Sequence, residues 1–163
     1  MEPKSIFSPE EKEIAAILAA KCEKNAADDL YEKVNRVRRV KELNARLDML
    51  RSRDGSPKHP ERLTELNSIA ISYIRLNEFD KALDILIEIY PLQCKLSGES
   101  HPDSMAILNN MAYALLGLDK LEQSFDAFKR LFTLQIAANH PDAGESLRVI
   151  QLIGAVISSR QQN

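Results

Sequence analysis

The second half of the chain repeats with a period of 42 residues. Four positions of one helical face recur in three copies: Leu66, Leu108 and Ile150; Ile69, Met111 and Ile153; Tyr73, Leu115 and Ile157; and the small Ala70, Ala112 and Gly154. A small residue at a fixed place in each copy indicates that two helices approach each other closely there. Because units of this length stack on their neighbours, the period predicts an array of short repeats within the 163 residues.

Each of the three histidines marks a predicted helix start. Every one precedes a proline and then an acid, in His59-Pro60-Glu61, His101-Pro102-Asp103 and His140-Pro141-Asp142. Proline suits the first helical turn, and an acid there complements the helix dipole. Since each histidine begins a different hairpin, and packed helices lie about 8–10 Å apart, the three should not converge on one ion. We therefore expect structural capping, with no metal and no cofactor.

A second helix follows each of the first two starts. Its core positions are spaced three, four and three residues apart in both copies: Phe79, Ala82, Leu86 and Ile89, then Leu121, Ser124, Phe128 and Leu131. This spacing is typical of one helix face. It predicts hairpins of 60–75 with 79–96 and of 102–116 with 121–137, and a capping helix over about 142–159. Pro91 either kinks its helix or ends it at Tyr90, with a restart.

The first 54 residues do not follow the 42-residue register. They predict two further helices, one from Pro9 and one over about 28–53. The second carries an apolar stripe: Leu30, Val34, Val37, Val40, Leu43, Leu47 and Leu50. This hairpin is either a divergent repeat that joins the stack or a dimerising pair. The chain is thus predicted to hold about seven helices in four segments, 1–54, 55–98, 99–139 and 140–163.

The best-formed copy resembles a known repeat family. Residues 98–103 read Gly-Glu-Ser-His-Pro-Asp, and residues 108–112 read Leu-Asn-Asn-Met-Ala. This pattern is similar to the tetratricopeptide repeat, in the 42-residue form found in kinesin light chains, and the resemblance covers about residues 55–159. It implies an all-α solenoid of antiparallel helical hairpins wound as a right-handed superhelix.

The resemblance also implies a working surface. In that family the first helices of successive hairpins line a concave groove that takes a peptide segment of a partner. Carried onto this chain, the groove residues are Asn67, Ile71, Ile74, Arg75, Asn109, Asn110, Tyr113, Leu116, Gln151 and Ala155. Asn67, Asn109 and Gln151 occupy one place in three copies, and side-chain amides both donate and accept hydrogen bonds. This row either binds the partner's backbone or satisfies itself and the adjacent helix.

Composition and motifs narrow the function classes. The net charge of −2 gives no basic field for nucleic acid. Cys22 and Cys94 lack CxxC spacing and are interpreted as free thiols in a reducing compartment, so we expect a cytoplasmic protein without a membrane span. No GxxxxGK, HExxH or GxSxG motif is present, and we expect no enzyme.

Two hypotheses follow for the function. The first is an adaptor or scaffold that binds a protein or peptide partner in the groove. The alternative is a self-association or subunit-bridging element that uses the N-terminal helices and makes a homo-oligomer. The discriminating feature is which apolar surface is exposed: the groove around Ile71, Ile74 and Leu116, or the flank around Val34, Val37 and Leu47.

Overall fold

In the part of the chain that the structure describes, the secondary-structure elements are all α-helices. The computed structural model describes the backbone of residues 9–52 and 60–162, and the side chains of residues 28–52 and 60–162. These ranges form six α-helices: α1 (Pro9–Ser52), α2 (Pro60–Arg75), α3 (Phe79–Ser97), α4 (Pro102–Gly117), α5 (Leu121–Ala137) and α6 (Ala143–Gln161). None of them, over these residues, has an apolar stretch long enough to cross a membrane.

The helices from α2 onward pack in chain order. Each of α2 to α5 packs against the next helix, and three-residue turns join α2 to α3 and α4 to α5, which makes these pairs antiparallel hairpins. The turns match each other, because Asn77 and Asp119 both adopt a positive φ, of 57° and 58°. Asn and Asp tolerate this left-handed conformation, which ends a helix. The predicted solenoid of helical hairpins is therefore confirmed.

Histidine capping is observed at two of the three predicted helix starts. The Nδ1 atom of His101 accepts a hydrogen bond from the backbone N–H of Asp103 at 3.2 Å. The Nδ1 atom of His140 accepts in the same way from Asp142 at 3.3 Å, and α6 begins one residue later, at Ala143. Each bond satisfies a backbone donor that the helix leaves unpaired. His59 lies outside the described residues.

The recurring positions form the core. Leu66, Ile69, Ala70 and Tyr73 are fully buried, and their counterparts in the next copies are buried or half-buried. The one polar residue in the repeated set is satisfied, because the Ser124 hydroxyl donates to the Ala112 carbonyl at 2.9 Å. Burial of such apolar side chains contributes about 1.5–3 kcal/mol each. The stack is thus stabilised by contacts between successive helices, as the period predicts.

The predicted N-terminal hairpin is wrong. Residues 9–52 form the single helix α1, so the described residues contain six helices and not about seven. The pair Asp28-Asp29, interpreted as a helix start, lies inside this helix. The helix is continuous because no glycine or proline lies between residues 10 and 54, and because alanine, a strong helix former, occupies positions 26 and 27. The side chain of Cys22 lies outside the described residues.

Helix α3 continues through Pro91, so it neither ends at Tyr90 nor restarts. Pro91 removes one intrahelical hydrogen bond, to the carbonyl of Ile87. Both Pro91 and Ile87 are exposed, and that carbonyl can bond to water. The chain divides into two compact units, residues 1–42 and residues 43–163. The second unit holds α2 to α6 and the last turns of α1, whose Leu50 is buried.

Candidate functional site

A cleft opens between α4 and α6, which are the first helices of the second and third repeat copies. The backbones of α2 and α4 come within 8 Å of each other, whereas those of α4 and α6 do not in the described residues. The resulting cleft has a volume of about 460 Å³, with α5 as its floor. Its lining residues are Pro102, Met105, Ala106, Asn109, Tyr113, Phe128, Gln135, His140, Asp142, Glu145, Ser146 and Val149. This volume is within the usual range for small-ligand sites.

A buried glutamine lines the floor of this cleft. Gln135 is only 5 % exposed, and its Oε1 atom is buried without a hydrogen-bond partner among the described residues. Its counterpart 42 residues earlier, Gln93, is also buried but donates through Nε2 to the Ser97 hydroxyl at 3.3 Å. Leaving a buried acceptor unpaired costs about 1–3 kcal/mol. Gln135 is therefore equipped to accept a hydrogen bond from something that enters the cleft.

Apolar side chains form one wall. Met105 and Phe128 are buried at the base, and Val149 is half-buried opposite them on α6. The Tyr113 ring is 38 % exposed and stands edge-on to Phe128, with ring centroids 5.2 Å apart and an interplanar angle of 87°. Such edge-to-face pairs are favourable and fix the orientation of the ring. The wall can therefore accept an apolar side chain beside a fixed aromatic face.

Among the described residues that line the cleft, the rim carries acids and no lysine or arginine. Asp142 and Glu145 lie at the start of α6, with side chains 71 % and 61 % exposed. Glu145 has an intrahelical neighbour, Arg148, at 3.6 Å. His140 also lines the cleft, and its Nδ1 atom is occupied by the N–H of Asp142. The described residues contain no group of three or more His, Cys, Asp or Glu side chains that could hold a metal ion.

Two of the residues predicted for the groove lie in the cleft, namely Asn109 and Tyr113. The others are elsewhere. Ile74 and Leu116 are half-buried and pack against the two core clusters, Ile71 is half-buried, and Arg75 is exposed at the end of α2. Ala155 is exposed on α6. The structure thus brings together only part of the predicted set.

The amide row has two different environments. The Nδ2 atom of Asn110 donates to the Oδ1 atom of Asn67 at 3.2 Å, which links α4 to α2. Asn67 therefore satisfies the adjacent helix, as one of the two predicted alternatives requires. The counterpart of Asn110 in α6 is Leu152, which cannot form this bond. Accordingly, the Asn109 side chain, which occupies the place of Asn67, remains available in the cleft.

Gln151 points away from the cleft for a geometric reason. Helix α6 lines the cleft with Glu145, Ser146 and Val149. Gln151 follows Val149 by two residues, which is about 200° around a helix. Equivalent positions in stacked units face the same direction along the stack, so Asn109 faces α6 whereas Gln151 faces beyond it. A row of equivalent positions therefore cannot line the two walls of one cleft.

Helix α1 carries several exposed apolar side chains within the compact unit of residues 1–42. Leu30, Tyr31, Val34 and Val37 are 62 %, 68 %, 59 % and 56 % exposed. Leu30, Val34 and Val37 follow the four-then-three spacing of one helix face. In contrast, Ile71, Ile74 and Leu116 of the predicted groove are all half-buried, as is Leu47. Of the two predicted surfaces, the one at Val34 and Val37 is thus more exposed than the one at the three groove residues.

Comparison with known proteins supports the fold and a repeat family. A model of the tetratricopeptide repeat matches residues 63–103, which contain α3 and both links to its neighbours. A search of curated proteins finds no match. Among solved structures, the nearly identical TPR-like repeats of a protein assigned as a kinesin light chain from Podosopora anserina match with a TM-score of 0.59 and 17 % identity.

That structural match covers 74 % of this chain and 61 % of the other chain, so this chain spans less than two thirds of that structure. At this identity the likeness concerns the fold alone. Repeats of this kind generally mediate protein–protein interactions, and their fold is in general a non-enzymatic interaction scaffold. The 42-residue period, the stacked hairpins and the matched repeat model agree: residues 63–103 are similar to a tetratricopeptide repeat, and the described helices have the fold of such repeats.

Proposed function

We propose that this protein is an adaptor or scaffold module that holds a peptide segment of a partner protein in the cleft between α4 and α6. The observation that carries the proposal is the cleft itself, which has an apolar wall, an open rim and an unpaired buried acceptor. The repeat units proposed for this module are residues 55–98 and 99–139, followed by the segment 140–163. A site of this volume accommodates one or two side chains of an extended segment.

Within the proposed site, Asn109 and Tyr113 contact the bound segment, as the sequence analysis predicts for groove residues. The Asn109 amide can both donate to and accept from a peptide backbone. Tyr113 offers a ring that is already oriented by Phe128, so little conformational entropy is lost on binding. Asn67 and Asn110 bond to each other at the α2–α4 boundary, which favours the α4–α6 cleft over a groove along all three first helices.

The proposal is tested with a substitution that fills the cleft but does not disturb the packing of the helices. Ala106 is exposed and lines the cleft, so Ala106→Arg should place a bulky side chain in it. The matched control is Gln151→Arg, which puts the same charge on an exposed helical position outside the cleft. A random dodecapeptide phage library is selected on the immobilised wild-type protein. We expect enriched peptides that bind the wild type and Gln151→Arg but not Ala106→Arg. Peptides bound equally by all three proteins, or no enrichment at all, would contradict the proposal.

A second candidate, self-association through α1, is favoured by the exposed apolar face of Leu30, Val34 and Val37. Apart from Lys33, which pairs with Asp29, and Glu42, which pairs with Arg38, charges are segregated along this part of the helix. Acids lie at the N-terminal side, Asp28, Asp29 and Glu32, and bases at the C-terminal side, Arg38, Arg39 and Lys41. Two copies in antiparallel orientation place the acids of one beside the bases of the other, whereas a parallel pair places like charges together. The proposed occupant of this face is therefore a second copy of the chain.

Sedimentation velocity across a range of protein concentrations tests this candidate. We expect a concentration-dependent dimer that Val34→Glu abolishes, because a charge would replace the centre of the apolar face. Asp48→Glu, at an exposed position without an apolar role, serves as the control. The candidate fails if the wild type sediments as a monomer at all concentrations, or if Val34→Glu sediments like the wild type.

A further inference from the structure

We infer that the segment bound in the α4–α6 cleft is cationic, with a lysine or arginine next to a large apolar side chain. This inference rests on the proposed function and specifies its partner. It follows from the unpaired buried acceptor in the cleft, from the charges at the rim, and from the apolar wall. Each of these is a property of described residues.

The cleft combines a buried, unpaired acceptor with negative charge at its rim. Its buried acceptor is Gln135 Oε1, its rim holds the carboxylates of Asp142 and Glu145, and Asn109 contributes an amide oxygen. Lysine and arginine side chains are absent from the lining residues, although Arg148 approaches Glu145 from outside at 3.6 Å. That pair is exposed, so it is worth little and can be exchanged for a ligand cation. A ligand that brings donors and positive charge is therefore complementary to the cleft.

The Gln135 acceptor distinguishes this cleft from an incidental cluster of surface acids. The residue is 5 % exposed and lines the cleft, and its Oε1 atom is buried without a partner among the described residues. Gln93, at the equivalent place, has no buried side-chain atom left in this way, and its Nε2 atom donates to the Ser97 hydroxyl. A donor for Gln135 Oε1 can therefore come from a ligand or from water that enters the cleft.

The apolar wall sets the second requirement. Met105, Phe128 and Val149 present hydrocarbon surface, and Tyr113 stands at its edge. The aliphatic stem of lysine or arginine packs on such a surface while its charged head stays at the rim. An adjacent leucine-sized side chain fills the remaining volume. The cleft thus fits a segment in which basic and large apolar residues are neighbours.

Three synthetic heptapeptides test the charge requirement by fluorescence anisotropy. All share a fluorescein label and a central leucine, which is flanked by two lysines, two norleucines or two glutamates. The lysine peptide is expected to bind the wild type at least about tenfold tighter than the glutamate peptide, with the norleucine peptide between them. Raising the salt concentration from 50 to 300 mM should weaken the lysine peptide most, since exposed charges are screened.

Two variants and one control assign the effect to the cleft. The double variant Asp142→Asn, Glu145→Gln keeps the shape of the rim and a residue type that is favoured at an N-cap, and is expected to abolish the preference for lysine. Gln135→Leu should weaken all peptides by about fivefold, because it removes the buried acceptor. The control Glu122→Gln, Asp126→Asn removes the same charge from exposed positions of α5 outside the lining and should leave the preference unchanged.

The outcomes distinguish a failure of the cationic preference from a failure of the proposed function. If the glutamate or norleucine peptide binds the wild type as tightly as the lysine peptide, and Ala106→Arg abolishes that binding, the cationic preference is overturned and the proposed function stands. If the phage selection yields cleft-dependent peptides without basic residues, the result is the same. If neither the heptapeptides nor the selected peptides depend on Ala106, both proposals are overturned.

Discussion

Two tyrosines of the array lie in different hydrogen-bonding environments. The Tyr73 hydroxyl donates to the Oδ1 atom of Asn44 at 2.7 Å, which ties the end of α1 to α2. The Tyr90 hydroxyl is buried without a well-formed hydrogen bond among the described residues, and the Cys94 thiol lies one turn away. Burial, followed by this thiol, raises the pKa of Tyr90 to about 12. Burial and the nearby carboxylates of Asp48 and Glu78 also raise the pKa of Tyr73.

The pKa of Tyr90 predicts a loss of stability at high pH. In the unfolded chain the hydroxyl loses its proton near pH 10, whereas in the folded protein it keeps the proton up to about pH 12. Between these values the unfolded state binds fewer protons, so the free energy of unfolding falls as the pH rises. Below pH 10 this group contributes no pH dependence. Urea titrations at pH 9, 10 and 11, followed by circular dichroism, measure the slope.

The matched variant is Tyr90→Phe, which keeps the ring and removes the ionisable hydroxyl. It should show a shallower decline between pH 10 and 11 than the wild type, with the remainder due largely to Tyr73, whose pKa is also raised. An equal decline in both proteins would mean that Tyr90 has the same pKa in the folded and unfolded states.

The candidate site could be predicted only in part at the residue scale. Asn109 and Tyr113 can be predicted from the sequence because they fall on one face of a helix in the repeat register. Gln135 was missed, although its equivalence to Gln93 at a spacing of 42 residues was a readable signal, since a polar residue recurs among apolar ones. That its acceptor is unpaired could not be predicted, because it depends on which groups the folded chain places around the Oε1 atom.

The bounds of α2 to α5 could be predicted from the sequence within one residue. Proline at the first position of α2 and α4 and a left-handed Asn77 or Asp119 at the end of each are local signals with local causes. Helix α1 was predicted wrongly because acidic residues favour a helix start without requiring one. With no glycine or proline between residues 10 and 54, nothing in that segment ends the helix.

A glycine at the end of α4 permits the close approach of α3. A Cβ atom added at Gly117 would lie 2.6 Å from ring atoms of Phe79, well inside van der Waals contact. Gly117→Ala should therefore lower the free energy of unfolding by about 1–2 kcal/mol, since the ring must move and neighbouring side chains must repack. Urea unfolding followed by circular dichroism measures the change.

The second repeat supplies the rescue variant. The counterpart of Phe79 is Leu121, so leucine suits this place in the fold. In a Phe79→Leu background the Gly117→Ala substitution should be nearly neutral, because the ring edge that it would contact is gone. Comparing the four proteins gives the coupling between the two positions. A penalty of equal size in both backgrounds would show that helix-end conformation, and not the ring, requires glycine.

At the scale of the whole molecule, the period predicts a stack but not where the stack is open. Stacking follows from equivalent apolar positions, which any neighbouring unit with the same face can cover. The opening depends on differences between copies: Asn67 is bonded to Asn110 between α2 and α4, whereas Asn109 faces the position of Leu152 between α4 and α6. The repeat pattern describes only what the copies share, so it cannot predict a binding site that depends on a difference between them.

Because each hairpin is stabilised by its neighbours, we predict that α4 and α5 need α6 in order to stay folded. Helix α6 contributes Ile153, with Val149, Ile150 and Ile157, to the core cluster that holds Phe128 and Leu131 of α5. A chain that ends after residue 141 exposes this cluster to water. Because burying each such side chain contributes about 1.5–3 kcal/mol, the exposed unit should unfold. Circular dichroism should then show a loss of helix larger than that of the 19 residues of α6 alone. A chain that ends after residue 158 is the control, since the described residues that it loses, 159–162, are exposed; this loss includes the surface pair of Arg160 with Asp119. If the shorter chain lost only the helicity of α6 and kept its urea midpoint, α4 and α5 would be stable on the contacts they make with α3, and the stack would not depend on its last helix.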